Sequence, residues 1–267
     1  MSSIVKPPLG VLLNHGHPLS VGVVGCWLFN EGAGALGRVM DLSGNGNHGT
    51  LIGSAYSSPG KFGNAIHLET PAAPFSRVNL GRVFDGRDQL TVSWVSRLSD
   101  KDNTTGYMFA GDFPSVFASW WSNAHKYEVM IRDDSSDTHQ VMTDRTYEDT
   151  EWHHFVVTYD GAFINIYVDG IIGDATPAAM TGPTFSAGPS DTYFGAAIEN
   201  FSFKGDLDHV IVYNRGLSAG EVASLYAEPF QMFHREPIEL WVGSVGAGAP
   251  PTVVPQIQYL RNMAAVA

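Results

Sequence analysis

The sequence is short of cysteine, of positive charge and of long apolar runs, and each shortage removes a class of protein. Cys26 is the only cysteine among 267 residues, so no intrachain disulfide can form. Exported domains often carry such bridges, so a reducing site of synthesis is expected. Lysine and arginine number 15 against 27 acidic residues, a formal charge of −12. A nucleic-acid binder needs a basic face for phosphates; no basic stripe is visible, so no nucleic-acid partner is expected. No stretch approaches the ~20 apolar residues that a membrane-spanning helix needs. Met1 to Pro8 lacks the apolar core of a secretory leader, so neither membrane span nor leader is expected.

What is present points to β structure. Apolar residues make up 44% of the chain, enough for a real core, while charged residues make up only 16%. Uncharged polar residues and 29 glycines must therefore cover much of the surface and its turns. Val23 to Phe29 is an apolar run ended by Asn30-Glu31-Gly32. Leu90 to Val95 and Tyr127 to Ile131 alternate apolar and polar residues, the period of a strand with one buried face. Phe155 to Tyr159 and Phe163 to Val168 flank Asp160-Gly161, a strong hairpin signal. His209 to Tyr213 reads as a further strand. Many short strands separated by Gly/Asp turns predict a sandwich. One helix is predicted after Ser218, which forms a capping box with Glu221. Val222, Leu225 and Tyr226 share its apolar face, and it stops before Pro229.

The ends differ from the middle. Residues 1–22 are rich in proline and glycine, which keeps them out of a sheet ladder, so they read as an extended N-terminal arm. Residues 23–228 carry the strands and helix. Residues 229–267 read as an extended C-terminal tail, with Gly243 to Pro255 almost wholly Gly, Ala, Ser, Val and Pro.

Four segments in order resemble the laminin-G-like/concanavalin-A-like jelly-roll superfamily. They are Gly25-Cys26-Trp27-Leu28-Phe29-Asn30-Glu31-Gly32 with Asp41 to Thr50; Gly60 to Ile66; Glu151 to Gly161 running into Tyr167 to Gly170; and Gly205 to Arg215 leading into Leu217-Ser218. The resemblance implies an all-β, two-sheet antiparallel jelly-roll β-sandwich with one short C-terminal helix. The fold alone does not decide a function. The arms, with Lys6-Pro7-Pro8-Leu9-Gly10 and Gly16-His17-Pro18-Leu19, resemble those of tailed-phage structural proteins. That implies a capsid decoration protein, made in the host cytoplasm and placed on the virion surface. It would grip the major capsid protein and like subunits through its arms, with a trimer as the first expectation. The alternative is a carbohydrate-binding module or lectin-like adhesin that takes glycans on a loop face.

Catalytic readings lose to structural ones. Gly216-Leu217-Ser218-Ala219-Gly220 matches a nucleophile elbow, but Ser218 is already needed as a helix cap. Glucanases of this fold use carboxylates spaced Glu-x-Asp along a strand, and no glutamate here is followed two residues later by aspartate. No catalytic residue is expected. For metal, the resemblance implies one structural calcium at the sandwich rim, with Asp41 and Asp208 as candidate ligands; the alternative is turn chemistry, with Asp side chains capping backbone N–H groups beside glycines. Ile52 stands where a calcium loop starting at Asp41 needs glutamate, so that loop is not an EF-hand. His153-His154 must face opposite sides of a strand, and His15-Gly16-His17 offers only two ligands. One ring of Trp120-Trp121 could stack on a sugar, and Asp133 to Asp137 reads as a solvated loop.

Overall fold

The computed structural model describes residues 4–32, 37–53, 55–68, 76–84, 86–99, 106–111, 117–121, 125–147, 149–173, 176–184, 191–195 and 203–233. The predicted tail beyond 233 lies outside these residues.

Seventeen strands and one helix follow in chain order. They begin with β1 (Val23–Trp27), β2 (Arg38–Val39), β3 (Gly49–Ile52), β4 (Tyr56–Pro59), β5 (Asn64–Leu68) and β6 (Arg77–Gly81). Next come β7 (Leu90–Leu98), β8 (Gly106–Gly111), β9 (Phe117–Trp121), β10 (Tyr127–Arg132), β11 (Thr138–Met142) and β12 (His153–Tyr159). The last are β13 (Phe163–Val168), β14 (Ile171–Ile172), β15 (Ala178–Ala179), β16 (Thr192–Phe194), β17 (Gly205–Tyr213) and α1 (Ala219–Ala227). One sheet runs β14-β13-β12-β7-β17-β5-β4, with β1 also on β17 and β15 on β13. The other runs β11-β10-β9-β8-β16-β6-β3-β2. Ladders such as β7–β12, β7–β17 and β9–β10 are antiparallel, and the two sheets form the expected sandwich.

The alternation in the sequence reports which strands are covered on one side only. Tyr127, Val129 and Ile131 of β10 are buried, and the residues between them are half-buried. On β17 every residue from Gly205 to Tyr213 is buried, which means that strand is covered on both faces. The inner face packs Trp94 between Phe109 at 4.8 Å and Phe155 at 5.6 Å, with Tyr127 stacked on Phe155 at 4.5 Å. The outer face carries a second cluster with Cys26, Val156, Ile211 and Tyr213 from the strands. Val222 and Leu225 of α1, Phe230, Met232 and Phe233 close over it.

Leu13 and Leu19 of the N-terminal segment belong to that same outer cluster. Pro18–Ser20 forms a 3-10 turn capped by His17, whose Nδ1 accepts from Leu19 N at 3.2 Å. Leu13 bridges Phe233, and Asn14 N donates to the Met232 carbonyl at 2.8 Å. Proline does keep the segment out of the main ladders. Its spaced leucines nevertheless have an apolar face to cover, and they cover the chain's own.

The helix ends as the capping box requires: Glu221 N donates to Ser218 Oγ at 3.3 Å, and Ser218 N to Glu221 Oε2 at 2.9 Å. Ser218 is thus fully used as a cap. Tyr226 departs from the expected face. It is 42% exposed and stacks on the His154 ring at 6.0 Å.

Candidate functional site

The most evident recess lies where the two sheets part, and it draws on both. It is shallow, with an enclosed free volume of only about 20 Å³, and the rest of it opens to solvent. The end of β7 supplies Ser96, Arg97 and Leu98, and the start of β12 supplies His153 and Phe155. Gly106 and Met108 of β8 and Tyr127 of β10 come from the other sheet, and Phe203 adds an apolar wall. Tyr147, Asp149 and Glu151 come from the loop that leads into β12. The floor is thus aromatic core, and the rim carries charge.

Local chemistry shapes that rim. Asp149 Oδ1 accepts from Glu151 N at 3.0 Å, an Asx turn that bends the loop into β12. Tyr147 N donates to the His125 carbonyl at 2.9 Å. The Tyr147 ring stands edge-on to His153 at 5.3 Å and to Phe155 at 6.0 Å. His153 is held from both sides, with Nδ1 2.7 Å from Asp169 Oδ2 and Nε2 3.0 Å from Asp149 Oδ1. The Asp169 hydrogen bond raises the His153 pKa against the opposing effect of burial, and Asp149 adds to it. Asp169 and Gly170 have φ of 51° and 82°, the paired left-handed conformation of a tight hairpin turn. Asp169 keeps that conformation while its Oδ1 accepts from His154 N at 2.9 Å. Burial alone would push its carboxyl up; the His153 contact and the His154 N–H hold it below the ordinary range.

Arg97 is equally committed. Its Nε donates to Asp206 Oδ2 at 2.8 Å, and its guanidinium lies 4.8 Å over the Trp152 ring. Asp206 is itself buried and also meets Ser58 Oγ and His67 Nδ1, both at 2.8 Å.

The two calcium candidates lie elsewhere and share no partner. Asp41 Oδ1 accepts from Cys26 N at 2.9 Å and Ser43 N at 2.8 Å. Its Oδ2 accepts from Ser43 Oγ at 2.8 Å and Asn47 N at 2.9 Å. Four hydrogens point at this carboxylate, where a calcium needs a shell of oxygen lone pairs. Asp208 Oδ1 lies 3.1 Å from Lys6 Nζ and 2.9 Å from His209 Nδ1, and Oδ2 accepts from Phe62 N at 3.1 Å. The Lys6 ammonium also donates to the Asp208 and Asn64 carbonyls. The chain's own cation fills the position a metal would take. Neither carboxylate fits the implied calcium, and among the described residues no three His, Cys, Asp or Glu side chains converge as metal ligands.

His153 and His154 face opposite sides, as strand geometry requires. His154 Nε2 lies 2.8 Å from Ser93 Oγ, both buried. Burial lowers the His154 pKa to about 3. Trp120 and Trp121 lie on β9, but their side chains are outside the described residues. Asp133 is not the solvated residue expected. It is buried, and its carboxylate accepts from Ser135 N at 3.0 Å and Asp137 N at 2.9 Å to fold the β10–β11 turn. Sequence reasoning missed the cleft itself. Its only local signal is the run of acidic and aromatic residues ahead of β12.

The two antiparallel sheets define a β-sandwich, and comparison with known proteins agrees on that fold. The chain belongs to the Laminin_G_3 family of the concanavalin A-like lectin/glucanases superfamily, which matches residues 64–223, more than half its length. No curated protein sequence matches the chain. One similar structure is domain 4 of AbnA, a GH43 extracellular arabinanase from Geobacillus stearothermophilus, in complex with arabinotriose. It is 18% identical with a TM-score of 0.60, over 76% of this chain and 98% of that one. The binding domain of Paraclostridial Mosquitocidal Protein 1 is 15% identical with a TM-score of 0.64, over 80% and 53%. The binding domain of Botulinum Neurotoxin DC in complex with SialylT is 10% identical with a TM-score of 0.60, over 78% and 52%. The chain therefore spans about half of each toxin domain, and at these identities the likeness is one of fold.

Proposed function

We propose that the chain is a non-enzymatic glycan-binding domain that takes a carbohydrate on the rim surface at the mouth of the recess. The observation that carries this reading is the half-buried Tyr147 ring beside the exposed Asp149 and Glu151 at one mouth. Sugars present an apolar ring face and a fringe of hydroxyls, so a site for them needs aromatic surface beside hydrogen-bond partners. Tyr147 supplies the ring face, and Asp149 and Glu151 supply acceptors. AbnA domain 4 in complex with arabinotriose supports the reading by showing this fold with a sugar. Asp149 and Glu151 sit in a loop, and Asp149 is already tied to His153 and the Glu151 backbone, which suits a rigid rim better than acid–base work. The test is calorimetry of the full chain against a panel of oligosaccharides. Binding that disappears in Tyr147→Ala while the variant stays folded at the titration temperature supports the proposal; no binding across the panel overturns it.

A second reading, that of a capsid decoration protein, rests on the tail. Its stretch from Gly243 to Pro255 is almost wholly Gly, Ala, Ser, Val and Pro, and a free lectin needs no such segment. Here the tail would grip the major capsid protein and like subunits at the virion surface by adding extended chain to their sheets. Deleting 235–267 would then abolish particle occupancy while leaving the sandwich folded. Unchanged occupancy would exclude the reading.

A further inference from the structure

We propose that the binding surface continues from the recess across the outer face of the sheet that contains β17, as a row of five side chains that takes a linear oligosaccharide laid across the strands. The row is Tyr56, His67, Asp206, Arg97 and Trp152. This rests on the glycan-binding reading and deepens it, because the ligand becomes a stretch of sugar chain rather than a single sugar. Register fixes the row. Tyr56 pairs with His67, His67 with Asp206, and Asp206 with Arg97. His153 pairs with Ser96, which sets Trp152 opposite Arg97. Successive side chains on a strand point to opposite faces. Ile66, Leu68, Leu98 and Leu207, the sequence neighbours of the row, belong to the inner core, so the row lies on the outer face.

The row is held firmly at its centre and aromatic at its ends. His67 Nδ1 lies 2.8 Å from Asp206 Oδ1, and Arg97 Nε donates to Asp206 Oδ2 at 2.8 Å. The Tyr56 ring leans on the His67 ring at 4.9 Å, and the Arg97 guanidinium lies 4.8 Å over Trp152. The ends are open to a ligand: Tyr56 is 50% exposed, the Arg97 side chain 38%, and Trp152 is half-buried. Arg97 spends its Nε on Asp206, and among the described residues its Nη groups make no hydrogen bond. Guanidinium N–H groups only donate, so they suit the ring and hydroxyl oxygens of a sugar. Tyr56 offers an apolar ring face for the sugar's own apolar face. From β12 to β4 the sheet runs through β7, β17 and β5, so Tyr56 and Trp152 stand about 19 Å apart at the usual strand spacing. That is the span of a short sugar chain, not of one sugar. Arg97 also lines the recess, and Trp152 directly follows Glu151 of its rim. One chain can therefore lie on both without leaving the surface.

Chain length tests this. Arabino-, xylo- and cello-oligosaccharides, from the disaccharide to the hexasaccharide, would be titrated calorimetrically into the full chain. Within a series that binds, affinity should rise about three- to tenfold once the sugar is long enough to reach Tyr56, and then level off. Tyr56→Ala should remove that gain and leave disaccharide affinity unchanged. Tyr56→Phe keeps the ring and should retain the gain. Tyr56→Leu keeps apolar bulk without the ring; it should lose the gain as alanine does, and it serves where alanine fails to fold. Affinity independent of length overturns the row and leaves glycan binding at the recess standing. So does a Tyr56→Ala or Tyr56→Leu variant that keeps the full gain. No binding in any series removes both.

Discussion

His153 and His154 are neighbours on β12, yet they belong to two regions built on opposite rules. His153 sits at the cleft, where carboxylates on both sides raise its pKa. His154 sits on the outer face beneath Tyr226, where burial lowers its own. The contrast extends to the residues around them. At the outer face, charge is consumed internally: the Lys6 and Asp208 side chains are 3% and 0% exposed and satisfy each other. At the cleft, Glu151 is exposed, and Asp149 stays half exposed while it holds His153. Polar groups therefore stabilise one region and remain open to a ligand in the other.

The comparison breaks most sharply at Asp208. Asp208→Ala strands a buried ammonium and should cost about 3–5 kcal/mol in urea unfolding. Lys6→Met combined with Asp208→Asn removes both charges and should recover at least half of the loss. A double variant as unstable as the single one would show that the outer face is not a closed pair. The next effect is in pH. His154 binds its proton more weakly folded than unfolded, so its contribution is present above pH 6.5 and is lost as pH falls toward about 3. His209 is lowered by the same burial and adds to this acid limb. His153 has the opposite sign, because its folded pKa is raised. Its contribution is full below 6.5 and is lost as pH rises through the folded value. Thermal melts from pH 5 to 8 should show His154→Gln flattening the acid side and His153→Gln the alkaline side. Around His154 the groups to control are Ser93, Tyr226, His209, Lys61 and Asp169; around His153 they are Asp149, Asp169 and Tyr147. Ser218→Ala should cost about 0.5–2 kcal/mol, the loss of a helix cap, without touching any ligand affinity. The smallest effect belongs to Glu151→Gln, whose stability should stay within about 0.5 kcal/mol of the parent.

The outer face also explains what could and could not be read from the sequence. Where one face is covered, as on β10 and β13, alternation marked the strand and its inward side. The Asp160-Gly161 turn was legible because its chemistry is local: Asp160 Oδ1 accepts from Ala162 N at 2.9 Å and Phe163 N at 2.8 Å. The capping box at Ser218 was local in the same way. On β17 the signal failed over Gly205–Asp208, because the register with β7 shifts between Leu207 and His209. Leu207 and Val210 both join the inner core across that irregularity, so no period-2 pattern spans it. Lys6 finds its partner 202 positions away, and no window of sequence contains both. The cleft is illegible for the same reason, since four strands, one loop and Phe203 must meet before it exists. Asp41 carried two readings, metal ligand and turn former, and only the direction of its donors separates them.

The contact between the first residues and the last has a consequence in time. Lys6 closes on Asp208, Ser20 Oγ donates to the Met232 carbonyl, and β1 pairs with β17 from Val23 to Trp27. Synthesis at about 5–20 residues per second delivers residue 233 roughly ten to fifty seconds after it starts. Until then β1 lacks β17, its ladder partner, and the outer cluster around Cys26 and Leu28 lacks α1 and Phe230 to Phe233. The sandwich cannot close progressively as it leaves the ribosome; it must wait for its final strand and then join its two ends in one late step. Such distant pairings fold slowly. The same closure means that cleavage within residues 6–20 or 228–233 opens the outer face, so the integrity of these two segments sets the lifetime of the whole.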